Sequence, residues 1–369
     1  MSPLTISQEK LLITGVNGYI GFKTLLIALE RGYNVRALVR KESHVTDLQA
    51  RNVAIAESSK PENGQLEFGV VPDFLQPDAV FNVLHGVTVI IHLASPLAVQ
   101  TENYDADIIQ PAISMVTTFL EAATRVPTVR RVVITSSCVT LIPFEWNMNP
   151  DSERIYTPTD LNTNLHTPPT SPMEAYWISK GLARLATKNF IKYHAPSFDF
   201  INLLAGVVIG PDERLISSKS PLLSTSTTTP VKKNTPAGIL TGTRASVLAP
   251  ILTADLSSPF PYVGVPVHVA DVARAHVDAV DGDVVPGNSE YILASDAPQG
   301  VNWNEDGRGI VRKWFPEEVA RGVFPFEGGL ETVRWRLDAS ETERVFGWAF
   351  TGFEETMRGL AGQYLELRG

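Results

Sequence analysis

Up to residue 140 the chain alternates between two kinds of segment, and this alternation limits most strongly what it can fold into. Short apolar runs rich in β-branched residues lie at 11–14, 35–39, 66–71, 87–93 and 132–135. Stretches with the helical spacing of apolar residues lie between several of them, at 19–31, 78–84 and 108–125. Strands that are apolar throughout and alternate with helices predict a parallel sheet covered on both faces. The predicted fold class is therefore α/β, a doubly wound parallel sheet.

The later part of the chain predicts a second domain. Further elements are predicted as a helix at 173–193, a strand at 198–204, a strand at 265–269 and a helix at 271–280. Residues 216–236 are rich in Ser, Thr and Pro without periodicity, which predicts a long mobile loop near the cleft. From residue 284 onward we expect mixed short elements that carry Trp303, Trp314, Trp335 and Trp348.

These changes of pattern suggest where the domains divide. We expect a sheet domain of residues 1–204 plus about 263–283. A smaller, discontinuous α/β domain of residues 205–262 plus 284–369 is expected to pack on its strand ends. No internal repeat is visible in the sequence.

Composition limits the class of protein further. The 369 residues are 44% hydrophobic and carry a formal charge of −9, which argues against a general nucleic-acid or anionic-membrane binder. No apolar run approaches the roughly 18 residues of a membrane-spanning helix, and no basic, hydrophobic leader precedes the first strand. A single cysteine, Cys138, excludes an internal disulfide framework and fits a reducing compartment. We therefore expect a cytoplasmic enzyme or regulator that binds neither nucleic acid nor membrane.

Three glycines follow the first predicted strand and open the first predicted helix. Gly15, Gly18 and Gly21 are spaced G-x-x-G-x-x-G, one residue wider than the G-x-G-x-x-G of many dinucleotide sites. Glycines at such positions let the backbone turn tightly and approach a pyrophosphate, which binds to the amides at the helix N-terminus. Ordinary loops are also rich in glycine, so it is the strand before and the helix after that favour dinucleotide binding over a structural turn.

The end of the second predicted strand indicates which dinucleotide binds. An acidic residue there holds the ribose hydroxyl of NAD, whereas arginine suits the 2′-phosphate of NADP. This strand ends Val39-Arg40-Lys41, with Arg36 upstream and Glu42 beyond its end. A planar guanidinium can bracket a phosphate, so NADPH is favoured over NADH. The alternative is that Arg40 and Lys41 form a solvated loop pair without a ligand.

A tyrosine and a lysine lie four residues apart on one face of a predicted helix. Tyr176 and Lys180 have this spacing, and so do Tyr19 and Lys23 after the first strand, so the spacing alone does not identify a site. Tyr176 follows the fifth predicted strand, whose carboxyl end carries Ser137. Because ligands of doubly wound sheets bind at the carboxyl ends of the strands, we expect Ser137 and Tyr176 to meet over a bound nicotinamide.

Together these motifs resemble those of the extended short-chain dehydrogenases/reductases. They are most similar to the group of dihydroflavonol reductases, cinnamoyl-CoA reductases and yeast-type aldehyde (methylglyoxal) reductases. The matching stretches are TGVNGYIG at 14–21, VRALVR at 35–40, VIIHLASP at 89–96, VVITSS at 132–137, YWISK at 176–180, GVVIGP at 206–211 and VHVADVARAH at 267–276. The resemblance implies a dinucleotide-binding Rossmann fold for the sheet domain and a substrate-binding role for the smaller domain.

The resemblance also implies roles for individual residues. Ser137, Tyr176 and Lys180 match the family's catalytic triad. Tyr176 would protonate the developing alkoxide, Lys180 would bind the nicotinamide ribose and lower the Tyr176 pKa, and Ser137 would bind the carbonyl oxygen. Besides Tyr176 and Lys180, the implied cofactor contacts are Gly15, Gly18, Tyr19, Ile20, Gly21, Arg40, Lys41, Asp73, Phe74, Ala94, Ser95, Pro96 and Val207.

Other conspicuous residues have simpler explanations. Cys138 lies next to Ser137 but has no matching His/Asn signature, so we expect it to be a buried wall residue and not a nucleophile. The seven histidines and one cysteine show no metal-ligand spacing, and no metal is expected. Phe144, Trp146 and Trp177 lie near the triad in sequence and fit a substrate pocket and core packing equally well.

The leading interpretation is an NADPH-dependent carbonyl reductase, a monomer or homodimer acting on a small apolar or aromatic ketone or aldehyde. Such a role fits secondary metabolism. One alternative is epimerisation or dehydration of a nucleotide sugar, or 3β-hydroxysteroid oxidation, on the same scaffold. Residues 204–230 offer only Arg214 and Lys219 to a sugar diphosphate, which disfavours nucleotide sugars. A second alternative is a non-catalytic NAD(P)-sensing regulator, which would need neither Tyr176 nor Lys180.

Overall fold

A computed structural model describes residues 9–144, 153–162, 165, 168–215 and 235–369. The chain forms two compact units. The first comprises residues 1–144, 158–204 and 273–291, and the second comprises residues 145–157, 205–272 and 292–369. Residues 216–234 of the Ser/Thr/Pro-rich segment lie outside the described residues, as does Trp146.

The bounds of the elements are as follows. The strands are β1 (Lys10–Ile13), β2 (Asn34–Val39), β3 (Leu66–Val70), β4 (Val89–His92), β5 (Arg131–Ser137), β6 (Ile155–Tyr156), β7 (Asp199–Ala205), β8 (Val207–Ile209), β9 (Tyr262–Val263), β10 (Pro266–His268), β11 (Ser289–Leu293), β12 (Thr332–Val333) and β13 (Arg336–Leu337). The helices are α1 (Tyr19–Glu30), α2 (Glu42–Arg51), α3 (Val53–Ser58), α4 (Pro77–Asn82), α5 (Gln110–Thr124), α6 (Pro172–His194), α7 (Pro236–Ile239), α8 (Gly242–Leu248), α9 (Val269–Asp278), α10 (Trp303–Trp314), α11 (Pro316–Ala320), α12 (Ser340–Phe346) and α13 (Phe353–Arg368).

A seven-stranded sheet with the order β3-β2-β1-β4-β5-β7-β11 organises the first unit. The pairs β1–β2, β1–β4, β2–β3 and β4–β5 are all parallel. The strand order reverses direction between β1 and β4, which is the switch point where doubly wound sheets bind their ligands. The predicted fold class, a doubly wound parallel α/β sheet of the Rossmann type, is confirmed.

The central strands are apolar because both of their faces are covered. Leu11 of β1 is fully buried and pairs with Val35 of β2 on one side and Val89 of β4 on the other. One core cluster joins Leu12 to Phe119 of α5 and to Phe190 of α6. α5 packs against α6, and both helices contribute side chains to this cluster against the sheet.

Two helices between β2 and β3 and two long helices near the C-terminus, α10 and α13, were not predicted from the sequence. α2 buries only Leu48, so its sequence has no apolar periodicity to detect. α10 buries Trp303, Gly307, Ile310 and Val311, and a glycine in that stripe hides the helical pattern. The expectation of only mixed short elements after residue 284 is wrong, because α13 runs for 16 residues.

The second unit contains short paired strands and helices. Parallel pairs join β8 to β10, β9 to β12 and β6 to β13. Trp303 of α10 is fully buried and packs edge-to-face on Phe353 of α13, with 5.4 Å between ring centroids. Within the described ranges, no helix has both the length and the apolar character to cross a membrane.

Candidate active site

The loop between β1 and α1 has a conformation that its glycines make possible. Gly15 has φ of +72°, a backbone conformation that favours glycine, and its carbonyl accepts a hydrogen bond from the Gly18 amide at 2.8 Å. A Cβ atom on Gly21 would lie 2.2 Å from the Gly15 carbonyl oxygen. Glycine at these positions therefore lets the first turn of α1 pack directly against the loop.

The start of α1 fits a pyrophosphate. Its N-cap residue, Gly18, has no side chain, and no side chain caps the helix. Tyr19 and Ile20, both predicted contacts, lie in the first turn. The amides of an N-terminal turn and the helix dipole together attract an anion. The close approach of backbone and helix is the feature that a dinucleotide-binding loop requires, so these residues fit the implied cofactor.

Thr14 joins the glycine loop to the loop after β4, a role that the sequence analysis missed. This buried hydroxyl accepts hydrogen bonds from the amides of Leu93 and Ala94, each at 3.0 Å, and lies 3.2 Å from His92 Nδ1. The Thr14 side chain thereby fixes the backbone that leads to Ser95. The only signal in the sequence was a threonine immediately before the first glycine of the motif.

The end of β2 carries Arg40 and Lys41 at the surface. Both side chains are exposed, just beyond the last residue of the strand. Arg36 does not join them, because its guanidinium donates to the Glu67 carboxylate and to the carbonyl of Val83. The Arg36 side chain is therefore held by partners of its own within the first unit. Arg40 and Lys41 remain the predicted contacts of a 2′-phosphate.

The remaining predicted cofactor residues fall in different places. Asp73 is exposed and accepts a hydrogen bond from the Leu75 amide at 2.9 Å, which lowers the pKa of its carboxyl. Phe74 is buried in the core and packs edge-to-face on Phe119, so only its backbone is available to an adenine. Val207 belongs to the second unit, in strand β8.

Helix α6 begins with a cap that its own sequence provides. The Ser171 hydroxyl accepts a hydrogen bond from the Glu174 amide at 3.2 Å, and the Glu174 carboxylate accepts one from the Thr170 amide at 2.7 Å. Reciprocal contacts of this kind fix where a helix starts. The position of the cap places Tyr176 and Lys180 in the first turns of α6, on one face of the helix.

The structure brings the three predicted catalytic residues together. Tyr176 lies close enough to Ser137, the last residue of β5, for the Ser137 hydroxyl to act on its pKa. The Lys180 ammonium lies 5.7 Å from the centre of the Tyr176 ring and donates a hydrogen bond to Ser95 Oγ at 2.9 Å. Ala94 and Pro96 flank Ser95 in the loop after β4. Residues from three separate segments therefore meet at the carboxyl ends of β4 and β5.

Burial controls the protonation of these groups. It raises the pKa of Tyr176 to about 12, while the neighbouring Ser137 hydroxyl acts to lower it. Lys180 was expected to lower the Tyr176 pKa, but it is not among the groups that act on that pKa. Burial is the largest influence and raises it. Burial lowers the pKa of Lys180 to about 8, and burial together with the nearby Lys180 lowers that of His92 to about 3. His92 is therefore neutral beside Thr14.

A small cavity lies beside Lys180 within the first unit. Its volume is about 20 Å³, room for about one water molecule. Its polar lining includes Ser95, Ser136, Lys180, Arg184 and Asn202. Ser95 and Lys180 line this cavity and also belong to the candidate site, so the cavity adjoins that site.

Cys138, Phe144 and Trp177, which lie near the candidate triad in sequence, are accounted for by burial, ring packing and hydrogen bonding. Cys138 is buried, and burial raises the pKa of its thiol to about 12, so the thiol stays neutral at ordinary pH. The Trp177 indole donates to the Ile142 carbonyl at 2.8 Å, and its ring packs edge-to-face on Phe144. Among the residues that the structure describes, no group of three or more His, Cys, Asp or Glu side chains could hold a metal ion.

Comparisons with known proteins agree with this arrangement. The sequence model of the family described as "NAD dependent epimerase/dehydratase family" matches residues 11–291. The chain is 32% identical over 367 residues to ketoreductase CTB6 of Cercospora nicotianae, covering 98% of this chain and 96% of that protein. It is 28% identical to the NAD-dependent epimerase/dehydratase ALT6 of Alternaria alternata, covering 98% and 99% of the two chains.

Solved structures share the fold. The crystal structure of the yeast methylglyoxal/isovaleraldehyde reductase Gre2, complexed with NADPH, has a TM-score of 0.73 at 20% identity and covers 98% of this chain and 99% of that chain. The family model spans most of the chain, and the Cercospora relative aligns over nearly its whole length. The chain therefore belongs to the NAD dependent epimerase/dehydratase family, the extended short-chain dehydrogenases/reductases that its motifs predict.

Proposed function

We propose that this protein is an NADPH-dependent carbonyl reductase that converts a ketone or aldehyde into an alcohol. The observation that carries the proposal is that Tyr176 lies beside Ser137 at the carboxyl end of β5, with Lys180 next along the same helix face. An acid, a hydrogen-bond partner for a carbonyl oxygen and a cation meet at one place. Relatives named ketoreductases support the same reading, since CTB6 of Cercospora nicotianae aligns over almost the entire chain.

The chemistry follows from the protonation of the three residues. Because burial holds the Tyr176 pKa near 12, its phenol stays protonated and can donate a proton to the carbonyl oxygen. Ser137 supports that oxygen through a hydrogen bond as negative charge develops on it. Lys180, oriented by Ser95, offers a positive charge to a ribose hydroxyl. NADPH, when bound, supplies the hydride.

The glycine loop after β1 and the residues that follow β2 would hold the cofactor. The loop of Gly15, Gly18 and Gly21 would bind the pyrophosphate through backbone amides at the start of α1. Arg40 and Lys41 are exposed and available to a 2′-phosphate, which favours NADPH over NADH. All of the proposed catalytic residues come from one chain, so a monomer or a homodimer would suffice.

The nucleotide-sugar alternative has less support. A sugar diphosphate needs basic side chains, and the sequence offers only two within residues 204–230. One of them, Arg214, donates to the buried carboxylate of Asp212 at 2.9 and 2.7 Å. Asp212 also accepts a hydrogen bond from Arg244, so this carboxylate holds both guanidinium groups within the second unit. Carbonyl reduction, which needs no such cluster of basic residues, remains the function that the site supports best.

The experiment that tests the proposal is a substrate panel. Purified protein is incubated with NADPH and, in turn, aldehydes, diketones, β-keto esters and aryl ketones, and both NADPH oxidation and the alcohol product are measured. We expect oxidation with at least one apolar or aromatic carbonyl compound. In the Ser137→Ala variant we expect NADPH binding to persist and the rate to fall about 10²–10³-fold, the loss typical of one oxyanion donor. NADPH binding without turnover of any carbonyl compound would contradict the proposal.

A further inference from the structure

Helix α6 carries a further charged side chain, that of Arg184, beyond Tyr176 and Lys180. Arg184 follows Lys180 by four residues, as Lys180 follows Tyr176, so the three side chains lie in a row along one helix face. None of the Arg184 side chain is exposed. An arginine is almost never fully buried unless its charge and its donors are all engaged.

A buried carboxylate neutralises Arg184. Its Nε and NH2 atoms donate to the two oxygens of Glu290 in β11, both at 2.8 Å. Lys188 Nζ donates to Glu290 at 2.7 Å and Asn202 Nδ2 donates to it at 2.9 Å. Burial alone would raise the pKa of Glu290, but these hydrogen bonds hold it at about 2. The bidentate pair fixes both the position and the orientation of the guanidinium.

The third nitrogen of the guanidinium faces the segment that follows Ser137. Arg184 NH1 donates to Thr140 Oγ1 at 3.1 Å and to the Asp160 carbonyl at 2.9 Å. The Thr140 hydroxyl in turn donates to the backbone carbonyl of Ser137 at 2.8 Å. Thr140 is fully buried, so water does not compete for these hydrogen bonds. A continuous chain of contacts therefore runs from Glu290 through Arg184 and Thr140 to Ser137.

We propose that Arg184 and Thr140 are positioning residues that hold Ser137 at a fixed distance from Tyr176 and Lys180. The inference rests on the proposed function, because it assigns a purpose to the spacing of those three residues. Arg184 is a residue of α6, the helix that carries Tyr176 and Lys180, and Thr140 belongs to the turn that follows Ser137. Their hydrogen bond therefore fixes one catalytic segment against the other. Misplacement of a catalytic group by about 1 Å can cost about 10²-fold in rate.

The most specific test is Thr140→Val, which removes the linking hydroxyl with almost no change in volume. We expect the single-turnover rate of hydride transfer at saturating NADPH to fall about tenfold, while the affinity for NADPH stays within about twofold. The matched control is Thr342→Val, because Thr342 is also buried and donates to a backbone carbonyl, that of Ile292, at 2.7 Å. The control should lose stability in the same way without losing rate per bound NADPH.

A double-mutant cycle separates positioning from general stability. If Thr140 acts through Ser137, then Thr140→Val should cost less than about twofold in a Ser137→Ala background. Arg184→Lys keeps the charge beside Glu290 but lacks the planar fork, so it should lose rate to the same extent as Thr140→Val. Equal losses from Thr140→Val in the wild-type and Ser137→Ala backgrounds would overturn the proposal.

Hydrogen exchange gives a readout that does not need activity. Amides of residues 137–141 should exchange faster in Thr140→Val and in Arg184→Lys than in the wild type, and should be unchanged in Thr342→Val. Unchanged exchange at 137–141 in both of the first two variants would refute the positioning role. Failure of the wild-type protein to reduce any carbonyl compound would refute the proposed function instead, while exchange would still decide the role of Arg184 and Thr140.

Discussion

At the scale of single residues, burial acts on Tyr176 and Lys180 in the same way. It favours the neutral form of each, which raises the pKa of the phenol to about 12 and lowers that of the ammonium to about 8. The tyrosine therefore stays a proton donor at every ordinary pH. The lysine, by contrast, loses its charge within the range in which enzymes are assayed. The pH dependence of the site should follow Lys180 and not Tyr176.

The first prediction concerns that pH dependence. kcat/KM reports groups of the free enzyme, so it should fall as the pH rises through about 8, where Lys180 loses its proton. The pKa of Lys180 is lowered from 10.5, so between these two values the unfolded chain binds more protons than the folded one. The free energy of unfolding should therefore rise with pH in that window, because the buried charge is removed. Activity and stability should change in opposite directions.

A variant without the ammonium provides the control for this prediction. Lys180→Met should reduce carbonyls slowly and show no decline in kcat/KM near pH 8, because the titrating group is absent. The measurement is a pH profile of kcat/KM for both proteins, together with urea unfolding at the same pH values. If the decline persists in Lys180→Met, another group causes it and the assignment is wrong.

The second prediction concerns the choice of cofactor. Arg40 and Lys41 are exposed at the end of β2, and Arg36 is engaged by Glu67, so Arg40 is the strongest candidate for the 2′-phosphate. Arg40→Asp should narrow or reverse the preference for NADPH over NADH by about 1–3 kcal/mol, the range for a lost charge-assisted contact. Dissociation constants of both cofactors, measured by fluorescence titration, check this outcome.

The matched control is an arginine with no expected ligand. The side chain of Arg321 is 66% exposed. Arg321→Asp changes the charge by the same amount as Arg40→Asp. It should leave the ratio of the two dissociation constants unchanged. Equal affinities for NADPH and NADH in the unmutated protein would contradict the assignment of Arg40, whatever the variants do.

At the scale of elements, the site depends on how closely α1 approaches the loop that precedes it. Gly21 in α1 packs on the Gly15 carbonyl, leaving no room for a Cβ atom. Both partners of this contact are backbone, so neither can move aside cheaply. The loop after β1 therefore fixes the position of the N-terminus of α1. A methyl group on Gly21 would push the first turn of α1 away from this loop.

The third prediction tests that contact. Gly21→Ala should destabilise the fold by about 1–3 kcal/mol through overpacking and should weaken NADPH binding by displacing the first turn of α1. Gly309→Ala is the matched control, because Gly309 lies in α10 and nothing lies within 4 Å of a Cβ placed there. The control should gain about 0.5–1 kcal/mol from the better helix former. Thermal unfolding and NADPH titration measure both effects, and unchanged NADPH affinity in Gly21→Ala would contradict the account of the loop.

At the scale of the whole molecule, local patterns in the sequence predicted the elements that carry the site. The apolar strands β1 to β5, the glycine loop and the helix of Tyr176 and Lys180 all have signals that span only a few residues. Ser137 and Tyr176 were expected to meet because doubly wound sheets place ligands at their strand ends. The seven-stranded sheet confirms the fold on which that expectation was based.

The parts that the sequence did not predict depend on contacts between distant residues. Arg184 and Glu290 are separated by 106 positions, and no periodicity links them. Thr14 reaches Ala94 across 80 positions for the same reason. The Phe74 ring packs on Phe119 in the core, a contact that local sequence does not reveal. Tertiary packing decides such positions, and local propensity has little influence there.

The central claim is that Tyr176 donates the proton during carbonyl reduction, and Tyr176→Phe tests it most directly. The substitution removes one hydroxyl with almost no change in volume, so folding and NADPH binding should survive. The single-turnover rate of hydride transfer at saturating NADPH should fall about 10²–10⁴-fold, the range for a positioned general acid. Tyr19→Phe, in the other tyrosine–lysine pair, should leave that rate nearly unchanged. Reduction by Tyr176→Phe at the wild-type rate would contradict the account.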